Sequence, residues 1–216
     1  MVECASDKLQ ADLIARAEGL IAKQSDVPVV LEDAATGRKI HSGIVNGNTV
    51  LVHHVTVMDL DPEDLPAWFA NFATNAAKCA NAALKINLLD DVVNGRKIGH
   101  HRTVPPVPLV SPRSTLVTYY EIPGADQYTF MASSEGNEEL VKKYADKVGS
   151  DVIASMFVNY MNFKPHHDSS GELVGCKVTH VIEASPNGSI PEMVMKKMSA
   201  AQQDIIIDFC KAIMSK

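Results

Sequence analysis

Three pairs of adjacent histidines, His53-His54, His100-His101 and His166-His167, and four cysteines, Cys4, Cys79, Cys176 and Cys210, are the residues of this chain best suited to hold a metal. Their spacing argues otherwise. Neighbours in a strand point to opposite faces, so neither of the first two pairs can chelate one ion from a single face. His166-His167 stands beside Asp168 and could bind a metal weakly, but no ligand spacing of a known zinc type occurs. The cysteines lie far apart without a CxxC pair, which fits free thiols in a reducing compartment better than a zinc site or a disulfide framework. There is no HExxH, no phosphate loop, and no Ser-His-Asp or Cys-His order to supply an activated nucleophile. No metal, no cofactor and no catalysis are therefore expected.

The elements must then be built for something other than covalent chemistry. At 216 residues and 46% hydrophobic, the chain can form one substantial core, and a single domain over 1–216 is expected. Net charge is −6 with Lys and Arg scattered, which offers no footprint for nucleic acid. The N-terminal segment, with Asp7, Asp12 and Glu18, does not read as a signal sequence, and no run of 18 apolar residues occurs, so a soluble, cytoplasmic protein is expected. Asn187-Gly188-Ser189 matches a glycosylation sequon but reads as a turn.

Leu9, Leu13, Ala17, Leu20 and Ile21 recur at helical spacing after a capping-box-like Asp7, predicting a helix over residues 8–23. Strands follow at 28–31, 39–44 and 49–58, the last two joined by Asn46-Gly47, a strong hairpin signal. Asp61-Pro62-Glu63-Asp64 opens a helical segment with Leu65, Phe69, Phe72 and Ala76 as its buried stripe, and Pro66 predicts an irregular first turn. Strands at 85–91 and 96–104 flank Asn94-Gly95, and the proline-rich 105–112 must be a loop. Strands at 114–122 and 127–134, a short surface helix at 138–148, and long strands at 151–163 and 172–184 come next. A long final helix starts near Ser189, with Ile190, Val194, Met198, Ala201, Ile205, Phe209 and Ala212 on one stripe.

The order is helix, three strands, helix, six strands, helix. So many sequential antiparallel strands imply one wide sheet, and a wide sheet curls. The final helix is the element to lie across the concave face. If it fills the concavity, the lining is ordinary core; if not, an apolar cavity of ligand size remains.

This order resembles the START (StAR-related lipid transfer) family, an α+β helix-grip fold within the Bet v 1-like superfamily. It has a curled nine-stranded antiparallel sheet closed over by a long C-terminal helix, with an N-terminal helix and a central helical segment. Two patches carry the resemblance. Pro108-Leu109-Val110-Ser111-Pro112-Arg113 is similar to the family's SPRD-like segment, and Val178-Thr179-His180-Val181 through Pro186-Asn187-Gly188-Ser189-Ile190-Pro191 is similar to the junction before its last helix. Ser114 and Ser185 stand where the family usually or often has Asp.

The resemblance implies a non-enzymatic protein that holds one lipid, of phospholipid, sterol or sphingolipid class, in an internal tunnel and transfers it between membranes. It implies transient, peripheral membrane contact, and a monomer without a nucleic-acid partner is expected. The loop Thr103–Pro112 corresponds to the family's Ω loop, with Val107, Leu109 and Val110 as membrane-contact residues. His100 and Tyr119 match the positions where several members place facing polar groups.

Alternation adds Arg102 beside His100, and Val117 and Glu121 beside Tyr119. Arg102 could meet an anionic head group, or simply pair with Glu121; His100 or Tyr119 could meet a hydroxyl. Val158 and Tyr160 on the penultimate strand, and Val194, Met198 and Gln202 on the final helix, complete the expected lining, Gln202 interrupting an otherwise apolar stripe. Two alternatives stay open: a helix-grip enzyme of cyclase or hydrolase type using His100 and Tyr119 as an acid-base pair, and a lipid-gated sensor.

Overall fold

The computed structural model describes residues 5–79, 84–93, 95–105, 110–188 and 190–215, with side chains throughout except at 5–7, 90–93, 192, 198, 199 and 201. Helix α1 (Ala5–Ala22) leads into β1 (Val29–Asp33), β2 (Arg38–Val45) and β3 (Asn48–Met58). Asn46 and Gly47 both take positive φ, 51° and 82°, so the tight turn between β2 and β3 is the one their side chains permit.

Asp61 Oδ1 caps a 3-10 turn at Pro62–Asp64 by accepting from the Glu63 amide at 2.9 Å. The 3-10 turn set off ahead of the helix is the irregular first turn that Pro66 predicts. Two short helices follow, α2 (Leu65–Ala70) and α3 (Phe72–Cys79), divided at Asn71. Then come β4 (Leu84–Val93), β5 (Arg96–Thr103), β6 (Arg113–Pro123) and β7 (Tyr128–Ser133). The expected surface helix at 138–148 is two pieces, α4 (Glu138–Lys143) and α5 (Ala145–Val148), because Tyr144 between them turns its ring into a cluster with Leu89, Ile98 and Leu116.

The expected strand at 151–163 is also interrupted. Val152–Ile153 is a separate strand, β8, paired parallel to β6, before β9 (Ser155–His167) and β10 (Leu173–Ser185) run antiparallel. The sheet order is β1-β2-β3-β10-β9-β7-β6-β5-β4, open at β1 and β4, with β8 off this path. The final helix is broken into α6 (Glu192–Gln202) and α7 (Ile205–Met214).

Alternation divides the sheet into two covered faces. Val52, Tyr120, Met131, Val158, Tyr160 and Val181 pack on the outer face beneath Leu13 and Ala17 of α1. Arg16 ties α1 down, donating to Glu183 at 2.7 Å and Glu135 at 2.9 Å. On the inner face an aromatic core joins Phe69 and Phe72 to Phe130 of β7 at ring separations of 4.5 and 4.6 Å, and Phe209 of α7 closes on Trp68 and Phe72. That core fills the concavity under α7. It does not extend under α6.

Candidate functional site

Beneath α6 the inner face lines a partly open cavity of about 130 Å³. Met195, Gln202 and Ile205 face it from the final helix, Leu84, Ile86, Ile182 and Ala184 form apolar walls, and Phe72 and Phe209 close the end toward α7. Most of its surface is apolar, and the polar residues on its wall include His101, Arg113, Thr115, Asn159 and His180. An apolar chamber with a handful of placed polar groups is the usual composition of a small-molecule site.

The expected lining residues divide by strand parity. β5 and β6 pair in a register that sets His101 opposite Thr115 and Gly99 opposite Val117, and partners share a face. Val117 and Tyr119 therefore point inward but belong to the aromatic core and not to the cavity wall expected of them, whereas His100 and Arg102 point outward. His100 Nε2 donates to Ser114 Oγ at 2.9 Å, and Ser114 in turn donates to Asp151 at 2.8 Å. Arg102 donates to Asp151 twice, at 2.6 and 3.1 Å, rather than to Glu121, which instead accepts from Tyr128. The Arg102 hydrogen bond holds the Asp151 carboxyl below the usual carboxylate range.

Val158 and Tyr160 pack under α1 on the outer face, and it is Asn159 between them that meets the cavity. Val194 is buried without touching the cavity, Gln202 lines it, and the Met198 side chain lies outside the described residues. Val107 and Leu109 of the expected membrane loop also lie outside them, and Val110 is half-buried.

Sequence reasoning passed over the inward histidines. His101 Nε2 shares a hydrogen bond of 2.8 Å with the Tyr119 hydroxyl. His53 of β3 and His180 of β10 stand directly opposite each other on the inner face. His53 Nε2 accepts from Arg38 Nε at 3.1 Å, and His180 Nε2 meets Asn159 Oδ1 at 3.0 Å. Burial dominates their protonation: it pushes His53 and His101 down to about 4 and His180 to about 3, so all three rings are neutral near pH 7. Burial raises the Tyr119 hydroxyl in the same way. The signal that could have marked His180 is a lone imidazole set among β-branched residues in Val178-Thr179-His180-Val181.

Two arginines govern how the roof attaches. Arg113 is buried at the cavity rim and donates to the carbonyls of Pro186 at 3.3 Å and Asn187 at 3.4 Å, as well as to Ser111. It thereby joins the two sequence patches that lie more than 70 residues apart. Asn187 Nδ2 continues the clasp to Ile153 O and Ser155 Oγ, which fixes the corner between β8 and β9. Arg38 donates to Gln203 O at 3.2 Å and to the Asp204 carboxylate at the break between α6 and α7. A guanidinium occupying that carbonyl gives the polar run Gln202-Gln203-Asp204 its bend.

No protein-family model matches the sequence, and no curated protein does. Solved structures match the backbone well. Human STARD10 superposes with a TM-score of 0.65 at 12% identity, over 99% of this chain and 81% of that one. This chain has the START fold. The human StarD13 lipid transfer and protein localization domain gives 0.60 at 12% identity, covering 94% and 98% of the two chains. A STAR-related lipid transfer protein from Xanthomonas axonopodis gives 0.55 at 17% identity, covering 88% and 97%. In START terms, α6 and α7 together are the gripping helix, and its break at Gln203–Asp204 lies at the border between filled and hollow concavity. Among the described residues no helix is long and apolar enough to cross a membrane, and no group of three or more His, Cys, Asp or Glu could hold a metal ion.

Proposed function

We propose that this chain binds one lipid monomer beneath α6 and carries it between membranes, acting as a monomer at the cytoplasmic face of bilayers. The observation that carries this reading is the apolar cavity under a helix fastened at both ends by arginines, on a backbone shared with proteins described as lipid transfer domains. Size adds a requirement. A cavity of about 150 Å³ holds only a benzene-sized molecule, and larger ligands take roughly 300–1,000 Å³. At about 130 Å³ the chamber is smaller than a lipid requires, so loading one calls for α6 to lift.

Catalysis by the inner His101 and Tyr119 is disfavoured on physical grounds. Burial drives the imidazole far below and the phenol far above neutral pH, the opposite of an acid-base pair matched to its medium. The buried Cys176 and Cys210 thiols, pushed up to about 11 and about 12, are poor nucleophiles and fit a reducing compartment. Val107, Leu109 and Val110 are the residues we assign to membrane contact.

The test is transfer of a fluorescent phospholipid, sterol and ceramide between donor and acceptor vesicles, together with native mass spectrometry of the purified protein. Accelerated transfer of one lipid class and a protein-bound mass of that class are expected. If no apolar ligand is bound and no class is moved faster than by spontaneous exchange, the reading fails.

A further inference from the structure

His53 and His180 each have one ring nitrogen with no partner: Nδ1 in both, buried and without a hydrogen bond. Their chemistry can be deduced from the nitrogens that are engaged. Arg38 has no lone pair to offer, so its Nε–H donates and His53 Nε2 must be bare. In the neutral ring the proton then sits on Nδ1, leaving His53 with an unused donor. Asn159 Oδ1 has no proton, so His180 Nε2 donates to it, and the neutral ring leaves Nδ1 of His180 as an unused acceptor.

The two residues are direct cross-strand partners, and such partners on one face carry Cβ atoms about 5 Å apart. His180 lines the cavity and His53 is wholly buried beside it. Each stranded group costs roughly 1–3 kcal/mol where it stands. A donor and an acceptor left open on cross-strand partners, one on the cavity wall and the other behind it, are matched by a group that accepts one hydrogen bond and donates another.

From this juxtaposition, we infer that His53 Nδ1–H and His180 Nδ1 form a recognition site for a free hydroxyl on an uncharged lipid. The inference rests on the lipid-binding reading above. A carboxylate or a phosphate diester offers only acceptors and leaves His180 unsatisfied. An ether or ester likewise accepts without donating. A hydroxyl meets both nitrogens with a single oxygen. Arg38 contributes by fixing the His53 tautomer, and Asn159 by fixing that of His180.

Competition against protein-bound Nile red tests the inference with matched probes: cholesterol against its methyl ether, and 1,2-dioctanoylglycerol against 1,2-dioctanoyl phosphatidic acid. At least one alcohol should displace the dye about tenfold better than its capped or phosphorylated partner. Which alcohol does so identifies a sterol or a glyceride as the source of the hydroxyl. In His180→Phe that preference should fall to about unity while the ether or phosphate binds as before. Equal displacement by partners, or a preference for the anion, overturns the hydroxyl site and leaves lipid binding standing. A protein that takes up neither dye nor any probe overturns both. The wild-type ranking decides the matter even if His180→Phe fails to fold, and His180→Gln, which can still supply an acceptor, should retain part of the preference.

Discussion

Tyr119 owes its place to a missing side chain. A Cβ at residue 99 would lie 1.9 Å from the Tyr119 oxygen, so only glycine lets the phenol cross β5 and reach His101. The same cross-strand pairing settles which histidine of the pair at 100–101 faces inward, and here the sequence was hard to read. Both faces of β5 and β6 are covered, the inner by the aromatic core and the outer by Tyr144 and Leu140, so polar and apolar residues do not alternate cleanly. Parity then depends on the register set across the Pro-rich loop, and a one-residue offset moves every side chain to the other face.

The buried rings have a measurable consequence. His53, His101 and His180 are neutral when folded, but in the unfolded chain they titrate near 6.5, so below that pH the unfolded state binds more protons. Their contribution to stability is complete above about pH 7 and is lost as pH falls from 6.5 toward 4. Asp151, held low by Arg102, loses its contribution only below the ordinary carboxylate range. Calorimetric midpoints should decline through the histidine window, and His101→Gln should flatten that decline; a midpoint independent of pH across it would contradict the burial of neutral rings.

At the scale of elements, the two halves of the divided C-terminal helix differ in how much they bury. In α7, Ile206, Phe209 and Ile213 are buried, worth roughly 5–9 kcal/mol at the usual value of apolar burial. Among the described side chains of α6 only Val194 is buried. The Arg38 contact at the break should therefore set how readily α6 lifts. It is a partly exposed ion pair with a carbonyl bond added, worth about 1 kcal/mol. Arg38→Gln is expected to speed ligand release from loaded protein about fivefold and to raise hydrogen exchange within 192–203 while α7 stays protected. Unchanged release would show that the roof is held elsewhere. The helical stripe and the Gln202 interruption were visible in the sequence. The break was not, because the group that makes it, Arg38, comes from a strand 165 residues away.

For the molecule as a whole, periodicity and turn signals placed nearly every element, since hairpins such as Asn46-Gly47 act locally. What local signals could not supply was the partial filling of the concavity, which depends on Phe69 and Phe72 reaching Phe130 and Phe209 across the fold. That aromatic plug gives the chamber a closely packed bottom beneath a helix that buries little of itself. On the proposed reading the plug would act as a ruler: a ligand held by its head near His53 and His180 could extend only until its tail met Phe72 and Phe209. Phe72→Leu, a shortening that costs less than full truncation, should shift the bound lipids seen by native mass spectrometry toward longer or bulkier tails. An unchanged lipid profile in a folded Phe72→Leu protein would mean that tail length is gauged at the roof and not at the plug.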